Sequence, residues 1–305
     1  MILKNNKGVT LIELMIVLVI AAVLVAGIYT LFATQQRSYF VQDRVAGIQQ
    51  DARAALDIMA RDIRMAGFLT GAGSGTGFFG VGAIGGSNNY AVNPGNGATP
   101  STDPDQITVV LATVQVATVT NVNGSTVSLS GGVGGDGLDT GDYVAFEGET
   151  QVYLIQSIDT PNPDDIRVNG NPPNHLDDIG AQAYRVQAIT YLVTPADGFL
   201  RRNDGSGAQP LAGDGTTTVV EDLQFAYQVA GSTDWIFDAD TATWPTGPTN
   251  ANIRMVRINI IVRTFVPDPE ESGFFKPTCE DRGQENTFTG CRRRVYTTVV
   301  KVRNL

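Results

Sequence analysis

The chain has little of what most enzymes use. Its 305 residues include one histidine, His175, and only two cysteines. A histidine-based triad would have to be built on His175, which lies in the loop Asn171-Pro172-Pro173-Asn174-His175-Leu176, and no G-x-S-x-G motif accompanies it. Paired zinc ligands are absent from the sequence. Positive charge is also scarce: Lys and Arg number 21 against 31 Asp and Glu, a formal net charge of −10. Such a field repels phosphate backbones and argues against a general nucleic-acid binder, with Arg292-Arg293-Arg294 as a local exception. Charge of either sign is missing from the 20 residues Leu14 to Ala33.

That last absence leads to what is present. An uncharged apolar run of this length can cross a bilayer as a helix. Lys4 and Lys7 precede it and no lysine or arginine follows at once, so the expected topology has a cytoplasmic N-terminus and an external body. A secretory signal shares the charge layout, but its apolar region is shorter and ends at a small-residue cleavage site. Glu13 is the anomaly, an acid at the mouth of the run. A carboxylate inside a bilayer costs about 2.5–3.5 kcal/mol on insertion scales, so it calls for a partner or a task; a hydrated place at the interface is the bland alternative.

The surrounding residues, Lys7-Gly8-Val9-Thr10-Leu11-Ile12-Glu13-Leu14, resemble the processing motif of type IV prepilins and type II secretion pseudopilins. The resemblance implies a leader ending at Gly8 and cleavage by prepilin peptidase between Gly8 and Val9. It further implies N-methylation of Val9, and assembly guided by Glu13, whose charge attracts the N-terminal amine of a neighbouring subunit. Phenylalanine usually follows the glycine in that family, and Val9 departs from it.

Beyond Ala33 the positions Val41, Val45, Ile48, Ala52, Ala55, Met59, Ile63 and Ala66 recur three or four apart, which predicts an amphipathic helix. Helix is expected from about Thr10 to Ala66, with Asp57, Arg61 and Asp62 on its polar side and Gly67 as terminator. With no proline in this stretch, any kink would centre on Gly27.

A Gly/Ser/Asn-rich segment follows, and its Gly75-Thr76-Gly77-Phe78-Phe79-Gly80 matches a dinucleotide fingerprint only by chance, since no strand precedes it. Ten strand-like runs come next: 107–111, 114–119, 126–129, 143–146, 151–158, 183–193, 199–202, 219–227, 253–265 and 295–302. Asn123-Gly124 and Asp197-Gly198 punctuate them as turns. Val256, Ile258, Ile260 and Val262 alternate with Arg257, Asn259, Ile261 and Arg263, as in a half-buried strand. The expected fold class is α+β: a long N-terminal helix packed on an antiparallel β body, the type IV pilin-like arrangement. The expected organisation is leader 1–8, membrane or filament-core helix 9–33, amphipathic helix 34–67, Gly-rich loop 68–105 and β body 106–305.

Three further segments resemble PilW-type minor pilins, relatives of the J-type pseudopilins: 57–68 (DIMARDIRMAGF), Leu200-Arg201-Arg202, and 293–304 (RRVYTTVVKVRN). That resemblance implies a non-enzymatic, low-copy subunit. Its partners would be prepilin peptidase, other major and minor pilins, the inner-membrane assembly platform and the membrane itself. It implies no cofactor, and a path from the inner membrane to the pilus. An uncleaved anchor carrying a binding module is the rival, and it would need neither Gly8 nor Glu13.

Two matters stay open. Cys279 and Cys291 are spaced for a short-loop disulfide, worth about 3 kcal/mol in an oxidising compartment, or for a pair of reduced buried thiols. The acidic groups Asp136, Asp139, Asp142 and Asp159, Asp164, Asp165 could ligate calcium or be solvated turns, and neither follows the EF-hand pattern.

Overall fold

The computed structural model describes residues 9–70, 73–74, 89–95, 103–134, 137–149, 151–159, 162, 164–237, 253–267, 276–280 and 290–304. The chain divides into two compact units, one ending at Gly47 and one spanning Ile48–Leu305. A single helix, α1, Leu11–Met65, contributes to both and runs through Gly27 without a break. Within the first unit α1 is uncharged from Leu14 to Ala33, and its large apolar side chains from Val9 to Phe40 are exposed.

In the second unit α1 becomes amphipathic and buries Ile48, Ala52, Ala55, Leu56, Met59, Ala60 and Ile63. The expected stripe is therefore seated from Ile48 onward. Gly67 ends the helix with φ +79°, a conformation that costs a side-chain-bearing residue far more than glycine. Its N–H leaves the helical pattern and donates to the carbonyl of Val110 at 2.9 Å.

The strands among the described residues are β1 Gly73–Ser74, β2 Asn89–Tyr90, β3 Val92–Gly95, β4 Gln106–Asn123, β5 Thr126–Leu129, β6 Tyr143–Phe146 and β7 Val152–Ile158. After β8 Asp165–Val168 and the one-turn helix α2, His175–Asp178, come β9 Gln182–Thr194, β10 Phe199–Asn203 and β11 Ala208–Ala212. The chain closes with β12 Thr218–Val229, β13 Ile253–Thr264 and β14 Arg293–Lys301. Every pairing between them is antiparallel.

Five strands escape the sequence pattern: β1 and β2 are two residues each within the segment expected as a Gly-rich loop, and the other three have identifiable reasons. β3 and β11 contain Pro94 and Pro210 and lie at the two ends of the nine-stranded sheet, the edge position where a missing N–H is tolerated. β8 is only four residues long. In the other direction, the runs 107–111 and 114–119 are one strand, β4, which absorbs the irregularity between them as register shifts at Ala112/Val114 and Gln115/Ala117.

The nine-stranded sheet has the order β11-β10-β9-β6-β7-β8-β5-β4-β3, and β9 also pairs with β4. That extra pairing closes β9-β6-β7-β8-β5-β4 into a ring of six strands, which leaves no free edge between them. The ring encloses its own apolar core, including Val119, Val127, Leu138, Phe146, Tyr153, Ile155, Ile166 and Leu176. Residues 117–183 carry ten acidic side chains against one arginine, Arg167, so the negative charge of the protein is concentrated on this lobe.

The larger core joins α1 to β3, the first part of β4, the later part of β9, β10, and the separate sheet β12-β13-β14. On β13 the alternation is only half right. Val256, Ile258, Ile260 and Val262 are fully buried, but so is Ile261, and Asn259 is 3% exposed. The second face is covered by polar groups: Lys276 pairs with Asp222 at 3.0 Å, and Glu280 accepts from Arg257 and Asn259 at 2.6 Å.

Candidate functional site: the N-terminal apolar segment and the helix anchor

The start of α1 is set by Thr10. Its carbonyl accepts from the N–H of Leu14 at 3.2 Å, and its Oγ1 accepts from the N–H of Glu13 at 3.3 Å. Thr10 is thus an N-cap, and Thr10-Leu11-Ile12-Glu13 has the spacing of a capping box. Glu13 lies in the first helical turn, where the aligned peptide dipoles favour an anion. The helix itself therefore offers one physical reason for an acid at this place, which the sequence motif alone does not reveal. Val9 is exposed, and residues 1–8, Gly8 among them, lie outside the described residues.

Downstream of Glu13 the helix has an 18-residue window of mean hydropathy 3.0, none of it buried. A core helix of a soluble domain would hide such a stretch. Here the side chains of Leu14, Ile16, Val17, Leu18, Val19, Ile20, Val23 and Leu24 are all more than half exposed. Their cover has to come from elsewhere, from lipid or from other apolar helices. Thr30 and Thr34 add no polarity to the surface, because their hydroxyls donate back to the carbonyls of Gly27 and Thr30.

Residues 3–29 match the family described as the prokaryotic N-terminal methylation motif. The N-terminus carries a type IV prepilin motif. The prepilin motif and the apolar helix together mark a membrane-anchoring segment. Among solved structures, the chain is similar to a type IV-like pilin from Thermus thermophilus at 13% identity and a TM-score of 0.42, covering 84% of this chain and 97% of that one. No curated protein matches the sequence.

At the other end of α1 the structure assembles a cluster that sequence reasoning missed. Asp62 is not on the polar side: it is 6% exposed, and its Oδ2 accepts from Tyr191 Oη at 2.6 Å and from Arg202 Nε at 3.0 Å. Arg202 turns its Nη1 to Asp204 at 3.0 Å. Burial, and then the hydrogen bond to Asp62, push the Tyr191 hydroxyl far above its ordinary pKa, so it remains a donor. Burial pulls Arg202 down, but Asp62 outweighs it and holds the guanidinium charged. A signal for this was available. Asp62 lies three residues after Met59 and four before Ala66, on the apolar stripe itself.

The segments 57–68, 200–202 and 293–304 all reach this end of α1. Asp62 belongs to the first, Arg202 to the second, and the third supplies the helix C-cap. The N–H of Arg303 donates to the carbonyl of Arg64 at 3.2 Å, and Asn304 Nδ2 donates to those of Met65 and Ala66 at 3.2 and 3.4 Å. The carbonyl of Met65 also accepts from the N–H of Phe68 at 3.0 Å, and residues 303 and 304 supply donors to those of Arg64 and Ala66 at the helix end.

The remaining candidates fare differently. No disulfide joins Cys279 and Cys291, although both are buried. They are held at different points along β13: Glu280, next to Cys279, is tied to Arg257 and Asn259, whereas Cys291 Sγ lies 3.5 Å from Arg263 Nη1. Burial, reinforced by Glu280, pushes the Cys279 thiol up to about 12, which makes it a poor nucleophile.

His175 opens helix α2 rather than lying in a loop, is over half exposed, and places Nε2 3.7 Å from Glu149 Oε1. Among the described residues no group of three or more His, Cys, Asp or Glu side chains is placed to hold a metal ion. Asp142 is engaged with Arg185 at 3.5 Å and with the N–H of Asp139 at 3.0 Å, and Asp165 accepts from Asn162 at 3.3 Å. Asp136 and the Gly75–Gly80 sequence lie outside the described residues.

Proposed function

We propose that this protein is a minor pilin. Prepilin peptidase would cut it between Gly8 and Val9, methylate Val9, and leave it to be built into a type IV pilus, in the complex that initiates or tips the filament. The observation that carries this reading is the join of a basic leader, Gly8 and Glu13 to an apolar helix with no cover of its own in the protein. Lipid would cover that helix before assembly, and the same segment of neighbouring subunits would cover it afterwards. Both surroundings are apolar, so the exchange exposes nothing to water, and side-chain packing and polar contacts between helices, rather than the hydrophobic effect, would drive it.

On this reading Glu13 guides assembly. In the membrane its carboxylate would draw the methylated amine of the adjoining subunit, since opposite charges attract more strongly where the dielectric is low. The lysines of the leader keep the N-terminus cytoplasmic, so the body would fold in the periplasm and then pass into the filament. Its role is structural, with prepilin peptidase, other pilins and the inner-membrane platform as partners. A type II secretion pseudopilin is the near alternative, supported by the same segment.

The deciding experiment is intact-mass and N-terminal analysis of the native protein. The expected chain starts at Val9 and carries one added methyl group. A Gly8→Leu variant is expected to stay membrane-bound at precursor mass, because a larger side chain blocks the close backbone approach that cleavage needs. A native chain still bearing Met1 would favour an uncleaved anchor with an external binding module and end the pilin reading.

A further inference from the structure

The stripe that α1 lays on the body is apolar except at Asp62. Ala52, Ala55, Ala60 and Ala66 alternate with Leu56, Met59 and Ile63, and all are buried in one apolar core. Apolar contacts are non-directional, so an axial position that sets one apolar side chain where another was is penalised less steeply than one that buries an unpaired charge. A one-turn slide of about 5.4 Å would exchange one such contact for another, a movement that packed helices are known to make. One residue on the stripe cannot be exchanged. A slide by three or four positions would set Met59 or Ala66 beside Tyr191 and Arg202, and would carry the Asp62 carboxylate into apolar surroundings.

We infer that the Asp62–Tyr191–Arg202 cluster is a register lock, which fixes the axial position of α1 on the body and lets the helix carry tension without slipping. The chemistry fits this task better than general stabilisation. A buried charge pair adds little net stability against well-packed apolar residues of the same size, but it strongly penalises every arrangement that separates the partners. A single buried polar residue sets register in coiled coils in the same manner. The lock is doubly held, since Arg202 is itself oriented by Asp204 and Tyr191 approaches the same Oδ2 from β9. Arg303 and Asn304 close the end of the helix next to it. The need for such a device rests on the filament reading above, in which the apolar half of α1 is gripped by neighbours while load acts on the body.

The test is a distance measurement on the full chain in detergent. Spin labels at Asp57→Cys, on the exposed face of α1, and at Gln209→Cys, on β11, report the axial position of the helix once Cys279 and Cys291 are replaced by alanine. The parent is expected to show one narrow distance. The apolar triple variant Asp62→Leu, Tyr191→Phe, Arg202→Met is expected to melt within a few degrees of the parent, yet to show a second population displaced by up to about 5.4 Å. Should the triple variant not fold, Asp62→Leu alone decides, with a smaller second population expected. An unchanged single distance in the folded variant would overturn the lock. Neither result depends on cleavage at Gly8, so the lock and the pilin reading can fail separately.

Discussion

The two halves of α1 share one backbone and differ in everything that surrounds it. From Leu11 to Gly47 the helix is apolar around its circumference in its first turns and its large side chains are exposed; from Ile48 to Met65 a single stripe is apolar and that stripe is buried. The lesson is that a helix is specified by the width of its apolar face as much as by its content. An all-round apolar face has no preferred side and suits a uniform surrounding such as lipid or a bundle of copies, whereas a stripe of about 100° commits to one neighbour. The polar residue embedded in each half follows the same rule. Glu13 stands at the exposed N-terminal turn, and Asp62 is enclosed with two donors from β9 and β10.

Moving one acid between the halves tests this contrast most severely. Met59→Asp would put an uncompensated carboxylate at a fully buried position, costing about 3–5 kcal/mol. The body is expected to melt at least about 6 °C lower by calorimetry. Leu18→Asp, in the exposed half, should leave that melting temperature alone and instead impair membrane insertion, at about 2.5–3.5 kcal/mol. If both substitutions lowered the melting temperature equally, the two halves would not be the separate environments described.

A smaller effect is expected at the head of the helix. Glu13→Ala should still be processed to a chain starting at Val9, with its incorporation into filaments reduced on the order of fivefold or more, the factor set by about 1 kcal/mol. Immunoblots of sheared filaments against total membrane would measure it, and undiminished incorporation would remove the role assigned to this residue. At the other end, Asn304→Ala removes the cap on the carbonyls of Met65 and Ala66. A loss of about 1 kcal/mol and about 2–4 °C in melting is expected, with no effect on processing.

The slightest change belongs to a turn of the body alone. Asp214 accepts from the N–H groups of Thr216, Thr217 and Thr218. Burial raises its pKa, but the hydroxyl of Thr217 and these amides outweigh that and hold it well below the usual carboxylate range. A carboxyl depressed in the folded state contributes stability above its unfolded pKa and loses it as pH falls through the folded value. The body should therefore lose stability below about pH 4, and Asp214→Asn should flatten that part of the acid melting profile while leaving Glu13-dependent assembly untouched.

Much of this was legible in the chain. The helix was expected over about 10–66 and spans Leu11–Met65, with Gly67 ending it as its position suggested. Most strands follow the β-branched runs. The edge strands with Pro94 and Pro210 were hidden because a proline argues against a strand unless its neighbours are known. The closing of six strands into a ring was equally hidden, since it depends on β9 meeting β4 across about 70 residues and no local pattern encodes that pairing.

By itself the sequence determined the N-terminal segment: which residues are apolar, where the one acid falls, and that a helix begins near Thr10. These are properties of neighbouring residues, carried by periodicity and charge that need no distant partner. Only the tertiary structure decided what Asp62, Arg202 and Asn304 do, because they lie far apart along the chain and acquire a function only when the fold brings them to one end of one helix. A carboxylate reads as a surface group until the donors that compensate its burial are known, and those donors come from strands that local pattern cannot place beside it.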